Sequence, residues 1–284
     1  MKLGSCGSLF ARYGEQRYEK MRQYGYTCLD FGLANTDSAY YQADETELRR
    51  LLQTEAELVR AAGLTIWQTH GPWRWPSKDD TEEDRAERME KMKRSIHMTA
   101  LLGCRYWIVH PIMPLGIYER KDEEKTKITW DINRAFMCEL IKVAHEEDVI
   151  ICLENMPMPD FSLGKVEDVI RFVKEMDDDH FKACLDTGHA AVTKESVGDA
   201  VRALGKELLA TLHIHDNNGI HDQHRLPYFG VIDWEDFAQA LQEIGFEGSF
   251  SYEVSPPKTM PDPYYEQVML RTYSDVARHL MGEE

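Results

Sequence analysis

The feature that most constrains the fold is a strict alternation of short apolar runs with longer amphipathic segments. The runs are typical of strands, and they lie at residues 2–6, 27–31, 64–70, 106–110, 149–154, 181–186, 209–213 and 249–254. Apolar character throughout each run favours parallel strands covered on both faces. Helical patterns follow them, at 15–24, 45–62, 82–102, 130–147, 166–175, 197–206, 234–244 and 264–280. Eight strand–helix pairs predict an α/β fold, a (β/α)8 TIM barrel.

The length of 284 residues suits one such barrel, and no linker or low-complexity tract divides the chain. We therefore expect a single domain over residues 1–284, with a doubly wound open sheet as the less favoured architecture. No apolar run reaches the length of a membrane span, and we recognise no secretory signal at the first residues. We expect a cytoplasmic protein whose six scattered cysteines are reduced.

The formal net charge of −17 bears on the partners of this chain. Phosphate backbones and anionic membrane surfaces repel an acidic protein unless it carries a local basic patch. We therefore expect neither nucleic acid nor a membrane as partner. The loop 111–125 is long enough either to cover a site or to pack against another subunit. The sequence therefore leaves open whether the protein forms a homo-oligomer.

Six consecutive predicted strands end in a residue that can bind metal. These residues are His70, His110, Glu154, Asp186, His213 and Glu253, and the second strand also ends in an acid, Asp30. In a barrel the carboxyl ends of all strands meet at one face, where such enzymes build their sites. Converging carboxylates repel one another, and a divalent cation neutralises them. Oxygen and imidazole ligands without thiolate suit Mn, Co, Mg, Fe or Zn.

Neighbouring positions extend this candidate set. His189 lies three residues after Asp186, and Asp222 and His224 form an Asp-x-His pair in the loop after His213. These could bind additional metal or substrate, although a loop Asp-x-His is also common as a polar turn. His215 is expected to support the ligands rather than join them. Beyond His70, Trp73 and Trp75 are as well suited to lining a substrate pocket as to loop packing.

The motifs carry a resemblance that covers nearly the whole chain. They are Leu-Glu-Asn at 153–155, Leu-Asp-Thr-Gly-His at 185–189, Leu-His-Ile-His-Asp-Asn at 212–217, and Asp-x-His at 222–224 followed by Gly-Val-Ile-Asp-Trp at 230–234. Together they resemble the xylose isomerase-like barrels, which include sugar and sugar-phosphate isomerases and epimerases, inosose dehydratases and type IV AP endonucleases. The motifs are specific for this superfamily and much less so for one member.

The resemblance to the ketose epimerase branch implies one metal held by Glu154, Asp186, His213 and Glu253. It also implies that Glu154 and Glu253 are catalytic, one removing a proton beside the substrate carbonyl and the other returning it. His189 corresponds to a position that contacts substrate hydroxyls. Arg225 is the basic residue nearest to that branch's substrate-binding arginine, although its spacing differs. The leading interpretation is a metal-dependent sugar or sugar-phosphate isomerase or epimerase.

Two other branches remain as alternatives. Type IV AP endonucleases hold three zinc ions with nine ligands, and matching residues are present in order: His70, His110, Glu154, Asp186, His189, His213, Asp222, His224 and Glu253. The loops 71–80, 111–125 and 216–231 nevertheless carry no surplus of lysine and arginine with which to grip DNA. The second alternative is a lyase resembling inosose dehydratase.

Overall fold

The computed structural model describes residues 1–73, 81–118 and 122–283, and it confirms the (β/α)8 barrel. The strands are β1 Lys2–Ser5, β2 Cys28–Gly32, β3 Thr65–His70, β4 Tyr106–Val109, β5 Ile150–Glu154, β6 Phe181–Asp186, β7 Leu209–His213 and β8 Ser249–Tyr252. Each agrees with its predicted run to within two residues at either end.

The strands form a closed ring. Strands β2 to β7 pair in sequence order in one parallel sheet, and β1 pairs with β8 in parallel. Backbone hydrogen bonds join these sheets on both sides: Thr27 N–H donates to the Leu3 carbonyl at 2.9 Å, and Ile214 N–H donates to the Ser251 carbonyl at 2.9 Å. The carboxyl ends of all eight strands therefore surround one opening, which we call the mouth.

Helices connect the strands. They are α1 Arg17–Gln23, α2 Ala39–Gln42, α3 Glu45–Ala61, α4 Glu82–Leu101, α5 Glu123–Glu147, α6 Val166–Met176, α7 Thr187–Val192, α8 Val197–Leu208, α9 Trp234–Glu243, α10 Asp262–Tyr264 and α11 Arg271–Met281. A 3-10 segment, Ser8–Gln16, precedes α1, and a π-helical segment, Tyr265–Leu270, precedes α11. Among the residues described, no helix combines the length and apolarity needed to cross a bilayer.

Local signals explain most helix boundaries. The Asp44 and Asp233 carboxylates each accept a backbone N–H in the first turn of α3 and α9, at 2.9 and 3.1 Å. After α3 and α4 the chain turns at Gly63 and Gly103, with φ of 76° and 70°, in the left-handed region that glycine enters without strain.

One helix boundary and two short helices differ from the sequence predictions. Helix α5 begins at Glu123 rather than at residue 130, so the connection after β4 is shorter than the predicted loop 111–125. The cause is Asp122, whose carboxylate accepts the Lys125 N–H at 3.0 Å and starts the helix early. The short helices α2 and α7 were not predicted, because four and six residues are too few to show a helical period.

Strand alternation explains how the barrel positions polar groups at its mouth. Ile108, Cys152 and Cys184 form a small buried apolar cluster inside the barrel. Side chains two residues apart on a strand point to the same face. The residues two positions later, His110, Glu154 and Asp186, therefore also point inward, one layer nearer the mouth. Apolar packing holds the layer below, and the polar layer lies above it.

Candidate active site

The mouth encloses a cavity of about 420 Å³ above the apolar layer. Its lining comprises Cys6, Asp30, Gly32, Ala34, His70, Trp73, His110, Glu154, Met156, Pro157, Met158, His189, Asp222, His224 and Glu253. Most of the strand-end residues predicted from the sequence thus face one space. Asp186 and His213 lie directly behind this lining and contact its members.

Glu154 lies at the centre of the group, with 1% of its side chain exposed. Its Oε1 lies 2.7 Å from Nδ1 of His213, and its Oε2 lies 3.0 Å from Nε2 of His110 and 3.5 Å from Nε2 of His70. Burial raises the pKa of this carboxyl, but His213 and His110 lower the pKa more, to well below its usual range. Glu154 is therefore held as a carboxylate.

His213 is fixed from both sides of its ring. Its Nε2 lies 2.8 Å from Asp30 Oδ2, which also accepts a hydrogen bond of 3.0 Å from the Gln68 amide. Since the Asp30 and Glu154 carboxylates can only accept, Nε2 carries a proton, and with no metal bound Nδ1 carries one as well. Burial lowers the pKa of His213, but the Glu253 and Glu154 carboxylates outweigh it and raise that pKa well above its ordinary value. That Nδ1 faces Glu154 at 2.7 Å and Glu253 Oε2 at 3.3 Å. Asp30 thus acts as the partner that orients His213, a role the sequence did not reveal.

Asp186 and His189 are coupled through α7. The Asp186 Oδ1 accepts the backbone N–H of His189 at 2.7 Å, so one carboxylate ends β6 and starts the helix. Nδ1 of His189 donates to the Asn155 carbonyl at 2.7 Å, which leaves Nε2 facing Asp222 at 3.3 Å. Burial lowers the pKa of His189, but the Asp186 and Asp222 carboxylates outweigh it and raise the pKa to about 10.

The loop after β7 completes the mouth. His224 donates from Nδ1 to the backbone carbonyl of Glu253 at 2.7 Å, and its Nε2 lies 3.1 Å from Asp222. The ring of His215 stacks on that of His224 with centroids 4.0 Å apart, and Nε2 of His215 lies 3.0 Å from Asp186. His215 is therefore buried between two candidate ligands, in the supporting position expected for it.

Metal-binding histidines usually donate their second ring N–H to a carbonyl or carboxylate, which fixes the tautomer. His70, His189 and His224 each place Nδ1 on a backbone carbonyl, and His213 uses Asp30 in the same way. Among the described residues of the cavity lining, Asp30 Oδ1 and His110 Nδ1 are buried without a hydrogen-bond partner. Several triads of ligand atoms lie within 4.8 Å of one another, including that of His70, His110 and Glu154. The residues present fit a divalent cation.

The two predicted substrate-lining residues are placed differently. Trp73 lines the cavity and packs edge-on against His110, with ring centroids 4.6 Å apart. The Arg225 side chain does not line it; its guanidinium donates to the Phe229 carbonyl at 3.2 Å. Trp75 lies outside the described residues. The sequence did not single out Met156 and Met158, which form an apolar wall of the cavity.

Comparison with known proteins gives a family for this architecture. Residues 18–272 match the model of the xylose isomerase-like TIM barrel family. A D-psicose 3-epimerase of Ruminiclostridium cellulolyticum is 27% identical over 201 residues, which cover 67% of this chain and 64% of that protein. The chain spans only 35 to 64% of the length of the first three curated relatives it matches.

Solved structures share the fold at lower identity. The D-psicose 3-epimerase with D-tagatose from Clostridium cellulolyticum H10 superimposes with a TM-score of 0.78 at 18% identity, covering 99% of each chain. The IOLI protein with a bound zinc atom gives a TM-score of 0.74 at 18% identity, covering 99% of this chain and 96% of that one. These likenesses concern the fold.

Proposed function

The chain belongs to the xylose isomerase-like TIM barrel family, and from that premise we propose that it is a divalent-metal-dependent sugar isomerase or epimerase. Several related proteins in both comparisons are sugar epimerases, among them D-psicose 3-epimerases. The chemistry proposed is proton transfer at a carbon next to a carbonyl, between two glutamates.

One observation carries this proposal. The Nδ1 atom of His213 faces both Glu154 at 2.7 Å and Glu253 at 3.3 Å, within a buried site. Two carboxylates this close to one nitrogen require positive charge among them; with no metal bound a proton on His213 supplies it, and a divalent cation would take the place of that proton. Glu154, Asp186, His213 and Glu253 are the residues that would hold a cation there; Mn, Co, Mg and Zn suit this donor set. Zinc in the IOLI structure supports the same interpretation.

A divalent cation held by these residues would supply Lewis-acid stabilisation of the negative charge that develops when the substrate loses a proton. The protein's own groups move that proton. One glutamate removes it from the carbon beside the carbonyl, and the opposite glutamate returns a proton to the other face of the same carbon, which gives the epimer. When the proton is instead taken from the terminal carbon next to the carbonyl, its return to the former carbonyl carbon, with a proton shift between the two oxygens, gives the aldose. No electrons enter or leave.

The two glutamates differ in their access to water. Glu154 is 1% exposed, whereas 27% of the Glu253 side chain is exposed. Glu253 can therefore exchange its proton with solvent between turnovers more readily than Glu154. His189, whose Nε2 points at the cavity, is placed to hydrogen-bond a substrate hydroxyl. Trp73, Met156 and Met158 wall the cavity with apolar surface that excludes water from the reacting carbon.

The decisive experiment is solvent exchange. The protein loaded with Mn²⁺ or Co²⁺ is incubated with a panel of ketoses and ketose phosphates in D₂O. We expect deuterium at the carbon next to the carbonyl in substrate and product, and no incorporation with Glu154→Gln or Glu253→Gln. No exchange with any substrate under any metal would overturn the proposal. A new carbonyl product formed with loss of water would point instead to a dehydratase.

The second candidate, a phosphodiester hydrolase, rests on a separate observation. His70, His110, His189, Asp222 and His224 also face the mouth, so its donors exceed the needs of one metal. Clamping two or more cations suits phosphodiester hydrolysis. The net charge of −17 opposes DNA binding. Nicking of abasic duplex DNA by zinc-loaded protein, falling steeply with salt, would favour this candidate over the isomerase.

A further inference from the structure

A second group of metal-type ligands lies at the opposite end of the barrel from the mouth. His145 is in the last turn of α5, and Asp179 and His180 lie in the connection before β6. One ring nitrogen from each histidine and one oxygen of Asp179 lie within 4.8 Å of one another. Nothing in the sequence spacing joins positions 145 and 180, so only the folded chain brings these two histidines together.

Each histidine ring of this group is held by a separate partner. Nε2 of His145 donates to the Asp178 carboxylate, 3.0 Å from both oxygens, and Nδ1 of His180 donates to the Val149 carbonyl at 2.9 Å. In the described part of the chain, the second nitrogen of each ring has no hydrogen-bond partner, and it offers a lone pair whenever the ring is neutral. This is the outer-shell arrangement that prepares histidines for metal binding.

The partner carboxylate is itself fixed. Asp178 Oδ1 accepts the backbone N–H of His180 at 2.8 Å, so a single side chain sets both the loop and the His145 ring. The two imidazole rings lie 4.1 Å apart at 31°. Asp177, Asp178 and Asp179 follow one another, so the electrostatic potential at this loop favours a cation. The rings are thus brought together next to negative charge.

We propose that His145, Asp179 and His180 form a second site for a divalent metal ion, independent of the mouth. Two imidazoles and one carboxylate suit zinc and similar transition cations and leave coordination positions for water. The site joins the end of α5 to the connection before β6, so a bound ion stabilises the native state through linkage and takes no part in turnover at the mouth.

The test measures zinc binding to the chelator-treated full-length protein by calorimetry, together with thermal unfolding at increasing ZnCl₂. We expect His145→Gln and His180→Gln each to bind fewer zinc ions than wild type, because this one site is lost. The rise in Tm that zinc produces should also be smaller in both variants than in wild type. The matched control is His279→Gln. It also removes an exposed histidine beside a carboxylate, since His279 lies 3.1 Å from Glu235, but that pair contains a single imidazole. It should bind zinc as wild type does.

Equal zinc stoichiometry in wild type, His145→Gln and His180→Gln would overturn the proposal, and so would equal losses in these variants and in His279→Gln. A Glu154→Gln variant separates this result from the function proposed for the mouth, because it should keep the zinc sites that depend on His180. Failure of sugar turnover therefore leaves this inference standing, and its own failure leaves the mouth untouched.

Discussion

Histidines lie beside carboxylates at both ends of this barrel, but water reaches the two groups very differently. In the mouth, His213 and Glu154 lie 2.7 Å apart with 1% of each side chain exposed. At the opposite end, His145 and Asp178 lie 3.0 Å apart with 46% and 24% exposed. The residue types and distances are similar, so burial is the main difference between the two pairs.

Burial changes what each pair requires. An exposed pair is solvated by water and contributes little to stability whether or not an ion binds. In the mouth, several carboxylates share a space with little solvent, and an uncompensated charge there is costly. Under the proposed function the mouth requires a cation, whereas the site proposed at the opposite end can accept one but does not need it. The predictions below probe this contrast, starting with the largest expected effect.

Glu154→Gln should produce the largest loss. It removes the group proposed to transfer a proton and to be the central metal ligand, so we expect turnover to fall by roughly 10²- to 10⁴-fold, with weaker metal binding as well. Steady-state assays on a responsive ketose at saturating metal measure the first effect, and calorimetry measures the second. Glu207→Gln, at an exposed position of α8, is the control and should match wild type. Retained turnover in Glu154→Gln would contradict the proton-transfer role.

Asp30→Asn should have an intermediate effect. The amide keeps the shape of the side chain but accepts the hydrogen bond from His213 without a full negative charge. The imidazole of His213 is therefore held less firmly in the orientation that directs Nδ1 at the proposed metal position. We expect about 10- to 100-fold weaker metal binding at the mouth. Equilibrium dialysis against Mn²⁺ measures the change, with the exposed Asp37→Asn as control. Unchanged affinity in Asp30→Asn would show that Asp30 only fills space.

After metal is removed, the stability of the protein should fall as the pH becomes alkaline. In the metal-free site, nearby carboxylates raise the pKa of His189 to about 10 and that of His224 to about 9, despite burial. Because these folded-state values exceed the ordinary value of 6.5, the stabilisation is fully present below pH 6.5 and is lost as the pH rises through 9 to 10. Thermal unfolding of EDTA-treated protein from pH 6 to 10.5 should show a falling Tm. A Tm that rises across this range would refute the charge arrangement.

His145→Gln should have the smallest effect on activity. The site of that residue lies across the barrel from the cavity, and its ion pair is exposed. Sugar turnover at saturating metal should match wild type, in contrast to Glu154→Gln. A large loss in His145→Gln would mean that the two ends are coupled and that the comparison drawn between them fails.

The sequence predicted the fold and the positions of the strand-end groups well, because both follow from local pattern. An apolar run that stops at Glu154 or Asp186 marks where a strand reaches the barrel face. The roles within the site were harder to predict. Asp30 orients His213 from 183 positions away, and only the closed barrel brings them together.

Two other features also depended on three-dimensional structure. The Asn155 carbonyl selects the His189 tautomer, a backbone contact that side-chain patterns cannot reveal. The approach of His145 to His180 depends on how α5 packs beside the connection before β6. The early start of α5 did have a signal, Asp122, but the polar and β-branched residues after it hid the helical period.

The central claim is that the mouth, through Glu154, Asp186, His213 and Glu253, binds a divalent cation. The most direct test titrates chelator-treated His145→Gln protein, which lacks the other candidate site, with Mn²⁺ and Zn²⁺ by calorimetry. The same titration is then run on the double variant that also carries Glu154→Gln. We predict a tight metal site in the first protein and its loss or strong weakening in the second. Equal affinity in both, or no binding in either, would contradict the account.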